Sequence, residues 1–429
     1  MVNLYDIAYG IGLGISAPYW LINRSARVKV RSALRDRMGR VQPRTDHAPA
    51  VLIHAVSLGE INATRGLVQR LRDLRPDLHL IISSTTETGF ARANELYGSA
   101  ARITLLRYPL DFSRAVSRVL DNLRPTVVVL MELEAWPNFM SHCAGRGIPV
   151  LVVNGRITEP SFRRYRLLGP VVRRMFGRLA ACCVQDEVNG RRFAGLGVAR
   201  ERIQITGTMK FDTATVADRV EGDQQLAADL GLESNQPLLV CGSTGPGEEQ
   251  IILQQYRRLR EKHSGLRLAI IPRHPQRFDE VARLIAEAGF GLVRRSRSDP
   301  EAHDPAAVLL GDTMGELRKF YSLASIVFVG RTLVDLGPRQ HGSDMIEPAA
   351  LAKPVIVGPY TTNFADAMSQ FRAANAIVEV GNGEDLGAAV DRLLRNPAHA
   401  RTLGDAARNA VLRGKGATER HAQEILRYL

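Results

Sequence analysis

Carboxylates, hydroxyls and arginines recur in this chain just beyond short apolar runs, where an open parallel-sheet protein keeps its chemistry. His54-Ala-Val-Ser57-Leu-Gly59-Glu60 sets a glycine turn and a glutamate at the entrance to a helix. Glu60 there can complement the helix dipole, or it can act as general base toward a hydroxyl. Ser83-Ser84-Thr85-Thr86-Glu87-Thr88-Gly89 is a hydroxyl-rich turn that can cap a helix or bind a polar ligand. Glu132-Leu-Glu134-Ala-Trp136-Pro137-Asn138 joins an acidic pair to an aromatic and a helix-starting proline. Asn154-Gly155-Arg156, with Ser161, Arg163, Arg164 and Tyr165 close behind, suits an anionic acceptor, or else forms a solvated helix face.

The second half repeats the pattern with different residues. Gly242-Ser243-Thr244-Gly245-Pro246-Gly247-Glu248-Glu249 is a glycine-rich turn opening a helix, which offers backbone amides to a phosphate. It lacks the P-loop lysine and the GxGxxG spacing, which argues against an ATPase or an NAD enzyme. Arg273 and His274, in Pro-Arg-His-Pro, can hold a phosphate or a base carbonyl. Thr313, Met314, Gly315 and Glu316 lie at another helix start. A long loop then reaches Gly342-Ser343-Asp344-Met345-Ile346-Glu347-Pro348, where Glu347 can grip ribose hydroxyls or simply cap a helix.

The elements that must position these groups are two βα series. VLIHAV, LHLIISS, RITLL, TVVVLME, PVLVVNG, ACCVQ and IQITG form the first, and PLLVCGS, LRLAIIP, GLVRRS, AVLLG, IVFVG and PVIVG the second, after a strand-free stretch from about Asp212 to Gln236. Continuous apolar strands of this kind belong to parallel sheets covered on both faces. Two doubly wound α/β domains are expected, at residues 47–215 and 216–405. A terminal helix within 406–429 is expected to pack back toward the first domain.

Charge is divided between the halves. The chain has 429 residues and a net charge of +13, but residues 1–215 carry 31 Lys and Arg against 17 Asp and Glu, and residues 216–429 carry 26 against 27. One basic half beside a near-neutral one implies two surfaces with different partners. The basic residues lack interleaved aromatics and no nucleic-acid module is present, so nucleic acid is not an expected partner. Cys143, Cys182, Cys183 and Cys241 show no CxxC spacing and read as buried thiols in a reducing compartment.

Residues 4–22 are mostly apolar and are followed by Arg24, Arg27, Lys29, Arg31, Arg35, Arg37 and Arg40. Asp6, three glycines and Pro18 make this a weak spanning helix. Residues 1–46 are expected to form a shallow membrane anchor with a basic collar on the cytoplasmic side and Tyr19 and Trp20 at the interface. The competing reading is a helix packed on the protein itself.

Taken in order, these segments resemble the 3-deoxy-D-manno-octulosonic acid (Kdo) transferases over nearly the whole chain. The shared motifs are S-x-G-E at Ser57 to Glu60, TETG at Thr86 to Gly89, E-x-E-x-WPN at Glu132 to Asn138, NGR at Asn154 to Arg156, GST and GEE at Gly242 to Glu249, PRHP at Pro272 to Pro275, G-x-x-MGEL at Gly311 to Leu317, and EPA at Glu347 to Ala349. The resemblance implies a GT-B fold, two Rossmann-like domains facing across a cleft behind an N-terminal membrane-anchoring segment. It implies an inverting enzyme that moves Kdo, or a related acidic sugar, from its CMP form to the lipid A precursor (lipid IVA), at the cytoplasmic face of the inner membrane. Glu60 matches the general base, and Arg273, Met314, Gly315 and Glu347 match positions that bind CMP. Ser57, Gly59, Thr86, Glu132, Glu134, Asn154, Arg156 and Arg163 are the expected acceptor-side residues. Ser243, Thr244, His274, Thr313, Glu316, Ser343 and Asp344 complete the donor side. No metal or cofactor is implied, because helix N-termini and basic groups stabilise the departing phosphate.

The chain departs from the family pattern in its second half. Gly245 stands where a histidine is usual, and HGSD at residues 341–344 replaces GGHN after an insertion around Gly337 to Gln340. A UDP-sugar transferase, or an inactive membrane-bound paralogue that binds lipid or partners, are the alternatives.

Overall fold

Two seven-stranded parallel sheets organise the computed structural model, which describes residues 3–22, 33–233, 236–297, 304, 306–337 and 340–429. The chain divides into unit 1, Met1–Asp212 with Gly416–Leu429, and unit 2, Thr213–Lys415.

Unit 1 contains β1 (Ala50–His54), β2 (His79–Ser84), β3 (Ile103–Arg107), β4 (Val127–Met131), β5 (Val150–Gly155), β6 (Ala181–Val184) and β7 (Ile203–Ile205). Their order is β3-β2-β1-β4-β5-β6-β7, with every pairing parallel. The apolar runs are explained by burial of both faces. In β4, Val127, Val129 and Met131 join one core while Val128 and Leu130 join the other. The chain leaves β1 toward β2 and later returns to β1's other side as β4. The carboxyl ends of β1 and β4 therefore flank the topological switch point, where such sheets bind ligands.

The helices of unit 1 are α1 (Leu4–Ile22), α2 (Leu58–Leu74), α3 (Glu87–Tyr97), α4 (Ser113–Leu123), α5 (Pro137–Gly145), α6 (Glu159–Leu167), α7 (Gly169–Phe176) and α8 (Glu187–Gly195). The C-terminal helix Ala417–Leu426 belongs to the same unit, burying Ala417, Ala422 and Ile425 in a core shared with Leu67 and Leu71 of α2.

The first helix departs from the anchor expectation. Asp6 is buried, and its carboxylate accepts N–H donors from Ser113 (2.8 Å), Asn3 (2.9 Å) and the Asn138 side chain (2.8 Å). Burial alone would raise its pKa, but these bonds hold it below the usual carboxylate range. Tyr9 meets Phe112 and Trp136 edge-on, at 5.1 and 6.2 Å. One side of α1 is thus turned into unit 1, and no helix among the described residues is long and apolar enough to cross a membrane. A membrane-anchoring segment finds no support here, because a buried hydrogen-bonded carboxylate needs protein around it. The side chains of Tyr19 and Trp20, and Arg24, Arg27, Lys29 and Arg31, lie outside the described residues.

Unit 2 contains β8 (Leu238–Thr244), β9 (Arg267–Pro272), β10 (Leu292–Arg294), β11 (Val308–Leu310), β12 (Ile326–Val329), β13 (Val355–Val357) and β14 (Val378–Glu379), in the order β10-β11-β9-β8-β12-β13-β14. Its switch point falls between β8 and β12, which pair in parallel. The two-residue β14 was too short to stand out as an apolar run. Helices α9 (Glu248–Lys262), α10 (Phe278–Glu287), α11 (Leu317–Leu323) and α12 (Ile346–Ala350) follow β8, β9, β11 and the long loop. All four cysteines are buried and none is joined to another.

Candidate active site

Ser57-Leu-Gly-Glu60 forms a reciprocal cap at the start of α2. The Ser57 hydroxyl oxygen accepts the Glu60 N–H (3.4 Å), while Glu60 Oε1 accepts the Ser57 hydroxyl proton (3.0 Å) and Oε2 accepts the Val56 N–H (2.9 Å). The helix-capping reading of Glu60 is therefore true, and it does not exhaust the residue. The carboxyl faces a cavity of about 490 Å³ lined by Val56, Met131, Glu132, Leu133, Glu134, Ser161, Arg164, Tyr165 and Leu168. Burial, then the charge of Glu132, push its pKa up to about 7, with Glu134 adding to the rise against the bonds from Val56 and Ser57. A carboxylate poised near neutrality can take a proton from a hydroxyl and release it again.

The topology explains why these acids meet. Glu60 follows β1 and the Glu132–Glu134 turn follows β4, the two strands that flank the switch point. Glu132 adopts a left-handed φ of 57°, and its N–H donates to Val153 O (3.0 Å). Burial raises the Glu134 carboxyl as well. The turn is held from behind by Asp111, whose carboxylate accepts the N–H groups of Asn138 and Phe139 (both 2.9 Å) at the start of α5. Burial pushes Asp111 up to about 7 despite those bonds.

Other expected acceptor residues land elsewhere. Thr86 caps α3, accepting the Gly89 N–H (3.1 Å) and donating to Val56 O (2.9 Å), so it braces the turn before Glu60. At Gly59 a Cβ would meet only Ser57 Oγ at 3.8 Å. Asn154 is buried and outside the cavity lining: its N–H donates to His421 Nε2 (2.6 Å) and its Oδ1 accepts the Met209 N–H (3.3 Å), tying β5 to the C-terminal helix and to the turn after β7. Arg156 is half-buried and does not line the cavity. Arg163 points away from it, 77% exposed and paired with Glu159 (2.9 Å). Ser161, Arg164, Tyr165 and Leu168 reach the cavity instead, spaced i, i+3, i+4 and i+7 on one helix face. That periodicity was the available signal for preferring Arg164 over its neighbour.

In unit 2 the expected donor residues gather on the carboxyl edge of the sheet, beside two further glutamates of the glycine-rich turn that are used internally. Glu248 is fully buried and accepts four backbone N–H groups, from Gly245 (2.8 Å), Arg331 (2.7 Å), Thr332 (2.9 Å) and Leu333 (2.9 Å). It staples the loop after β8 to the loop after β12. Glu249 is paired with Arg277 (2.6 Å). Ser243, with φ of 56°, accepts a long bond from Ser343 Oγ at its carbonyl (3.4 Å), and Arg273 N–H donates to Thr244 O (3.1 Å). Arg273 and His274 are exposed.

The turn after β11 is self-contained. Thr313 donates to Glu316 (2.6 Å), which Arg295 also grips (2.9 Å); burial opposes these bonds, yet the carboxyl falls to about 2. Gly315 takes a φ of 84° and Met314 is 67% exposed. Asp344 accepts the Ile346 N–H (2.8 Å) just ahead of α12, and Glu347 is raised by burial and by Asp344. Among the described residues no group of three or more His, Cys, Asp or Glu side chains could hold a metal ion.

Two Rossmann-like units, one with a carboxylate cavity and one with a glycine-rich basic edge, define the α/β plan of GT-B-like glycosyltransferases. A solved glycosyltransferase from Rickettsia africae shares that fold, with a TM-score of 0.58 and 15% identity over 89% of this chain and 99% of that one. The family model for 3-deoxy-D-manno-octulosonic-acid transferase (kdotransferase) matches residues 32–213. The 3-deoxy-D-manno-octulosonic acid transferase of Bordetella pertussis is 34% identical over 382 residues, 87% of this chain and 86% of that protein. That of Haemophilus influenzae is 32% identical over 380 residues, 88% and 87% of the two chains. This chain belongs to the Kdo transferase family.

Proposed function

We propose that the protein transfers Kdo from CMP-Kdo to the lipid A precursor lipid IVA, with inversion, at the cytoplasmic face of the inner membrane, and that Glu60 is its general base. The observation that carries this reading is a carboxyl at the unit 1 switch point, open to a cavity and titrating near pH 7. Glu60 takes the proton of an acceptor hydroxyl as its oxygen bonds to the anomeric carbon. The bond from that carbon to the CMP phosphate oxygen breaks, and CMP leaves with the electron pair. Arg164, at the cavity wall, supplies positive charge for an acceptor phosphate. Ser243, Thr244, Arg273, His274, Thr313, Met314, Gly315, Glu316, Ser343, Asp344 and Glu347 are assigned to the donor.

Contact with the membrane surface is supported by α6 and α7. Leu167, Leu168 and Val171 are 85%, 61% and 57% exposed among Arg163, Arg164, Arg166, Arg173 and Arg174. Apolar side chains ringed by arginines suit an anionic lipid surface.

The test is radiolabelled transfer to lipid IVA from CMP-Kdo and, in parallel, from UDP-sugars, using wild type and Glu60→Gln. Product from CMP-Kdo alone, and its loss in the variant, is the expected result. Transfer from a UDP-sugar, or near-normal turnover by Glu60→Gln, overturns the reading.

A further inference from the structure

Unit 2 places an arginine where its backbone favours glycine. Arg331, just after β12, has a φ of 60°, in the left-handed region that a Cβ disfavours. Its backbone is pinned there from both sides, by the N–H bond to Glu248 (2.7 Å) and by Gly342, whose N–H donates to its carbonyl (2.7 Å). Strain of this kind persists where surrounding structure imposes it, and it clusters at functional sites.

The side chain does not repay that strain within unit 2. Its Nε is sealed from solvent and has no hydrogen-bond partner. Burial, then the charge of Arg273, hold the guanidinium below the usual arginine range, opposed only by Glu248, whose oxygens already accept four N–H groups. Partial desolvation, then the charges of Arg331, Arg273 and Arg277, lower His274 although its side chain is largely exposed. The adjacent Thr244 hydroxyl is also buried without a partner. Like charges gathered at one edge of the sheet form an arrangement that an anion completes.

Gly245 makes room for it. Its own φ lies outside the left-handed region, so the backbone does not demand glycine. A Cβ there would lie 2.6 Å from the Leu336 Cδ1 tip, which can move aside, and 3.0 Å from Arg331 Cγ, so it would press on the arginine stem. The stem of Arg331 crosses the surface that glycine leaves bare. Both residues follow strands that flank the switch point of this sheet, where ligands bind.

We propose that Arg331, acting with Arg273, holds an anionic oxygen group of the donor, its phosphate or its carboxylate, and that Gly245 exists to admit the Arg331 side chain. This rests on the assignment of unit 2 to a nucleotide-sugar donor. It makes Arg331 a specificity-determining residue that the glycine-rich motif alone does not reveal.

The experiment is calorimetric titration of the full chain with cytidine and CMP, plus KM for CMP-Kdo, in wild type, Arg331→Gly, Arg331→Gln and Gly245→Ala. If the anion is the phosphate, both Arg331 variants weaken CMP about 10- to 100-fold, as loss of a charge-assisted hydrogen bond does, and leave cytidine within about twofold. If it is the carboxylate, CMP binding is unchanged and KM for CMP-Kdo rises by about tenfold or more. Gly245→Ala weakens the same ligand, and does so far less in the Arg331→Gly background, because the two act as one unit. Arg331→Gly keeps or raises the melting temperature, since glycine prefers that φ. Unchanged affinity and KM in both Arg331 variants overturns the inference, as does a large fall in melting temperature with ligand affinity intact. A wild type that binds UDP and not CMP defeats the donor assignment instead, and the same variants titrated with UDP then decide the role of Arg331.

Discussion

Glu60 and Glu248 occupy matching places in the two units. Each lies in the first turn of the helix that follows the first strand of its sheet, and each is raised by burial. Glu60 accepts one backbone N–H and a serine hydroxyl and opens on a cavity shared with two more acids. Glu248 accepts four backbone N–H groups and sees no solvent. The same residue at the same topological position is open to a cavity in one unit and a staple in the other. What separates them is how many donors converge on the carboxylate, because a fully satisfied carboxylate has no lone pair left for a substrate.

Substitutions can break this contrast in order of expected size. Glu60→Gln keeps the cap, since glutamine also serves at that position, and should lower the rate of transfer by about 100- to 10,000-fold with the fold intact. Glu248→Ala should act on the fold first. It leaves four buried N–H groups without an acceptor and should cost about 4 kcal/mol in urea denaturation, on the scale of unsatisfied buried donors. A loss below about 1 kcal/mol would mean the staple is not what joins the two loops.

Smaller effects sharpen the picture on the acceptor side. Arg164→Ala should raise KM for the lipid acceptor about tenfold, as expected for one charged contact, while Arg163→Ala stays within about twofold because its partner is only the exposed Glu159. Equal effects would show that the helix face was assigned wrongly.

The pH dependence separates the two glutamates least but most specifically. Glu60 titrates at about 7 in the fold against 4.5 in the unfolded chain. Its contribution to stability is thus complete below pH 4.5 and lost as pH rises through about 7. Glu60→Gln, neutral throughout, should therefore melt a few degrees above wild type at pH 8 and level with it near pH 4.5. The acidic limb of the wild-type transfer rate should rise through pH 7 as the base ionises.

Several of these features were legible in the residues alone. The apolar runs named the strands, since only a parallel sheet buried on both faces needs them unbroken. The S-x-x-E spacing announced both the cap and the placement of Glu60. The helical period of Ser161, Arg164, Tyr165 and Leu168 was also readable, and it leaves Arg163 off that face. Asn154 misled because an asparagine at a strand end suits a ligand and a structural junction equally, and its bond to His421 spans 267 positions.

By itself, then, the sequence determined which segments became strands and which turns carried acids, bases and glycines, because periodicity, capping and turn chemistry act over a few residues. The tertiary structure alone decided that Asp6 would be drawn into unit 1, that Glu248 would be consumed by four amides, and that Arg331 would be pinned in a left-handed backbone by Glu248 and Gly342. Each depends on groups tens to hundreds of positions apart meeting in a low-dielectric interior, where burial and neighbouring charge set what a side chain can do.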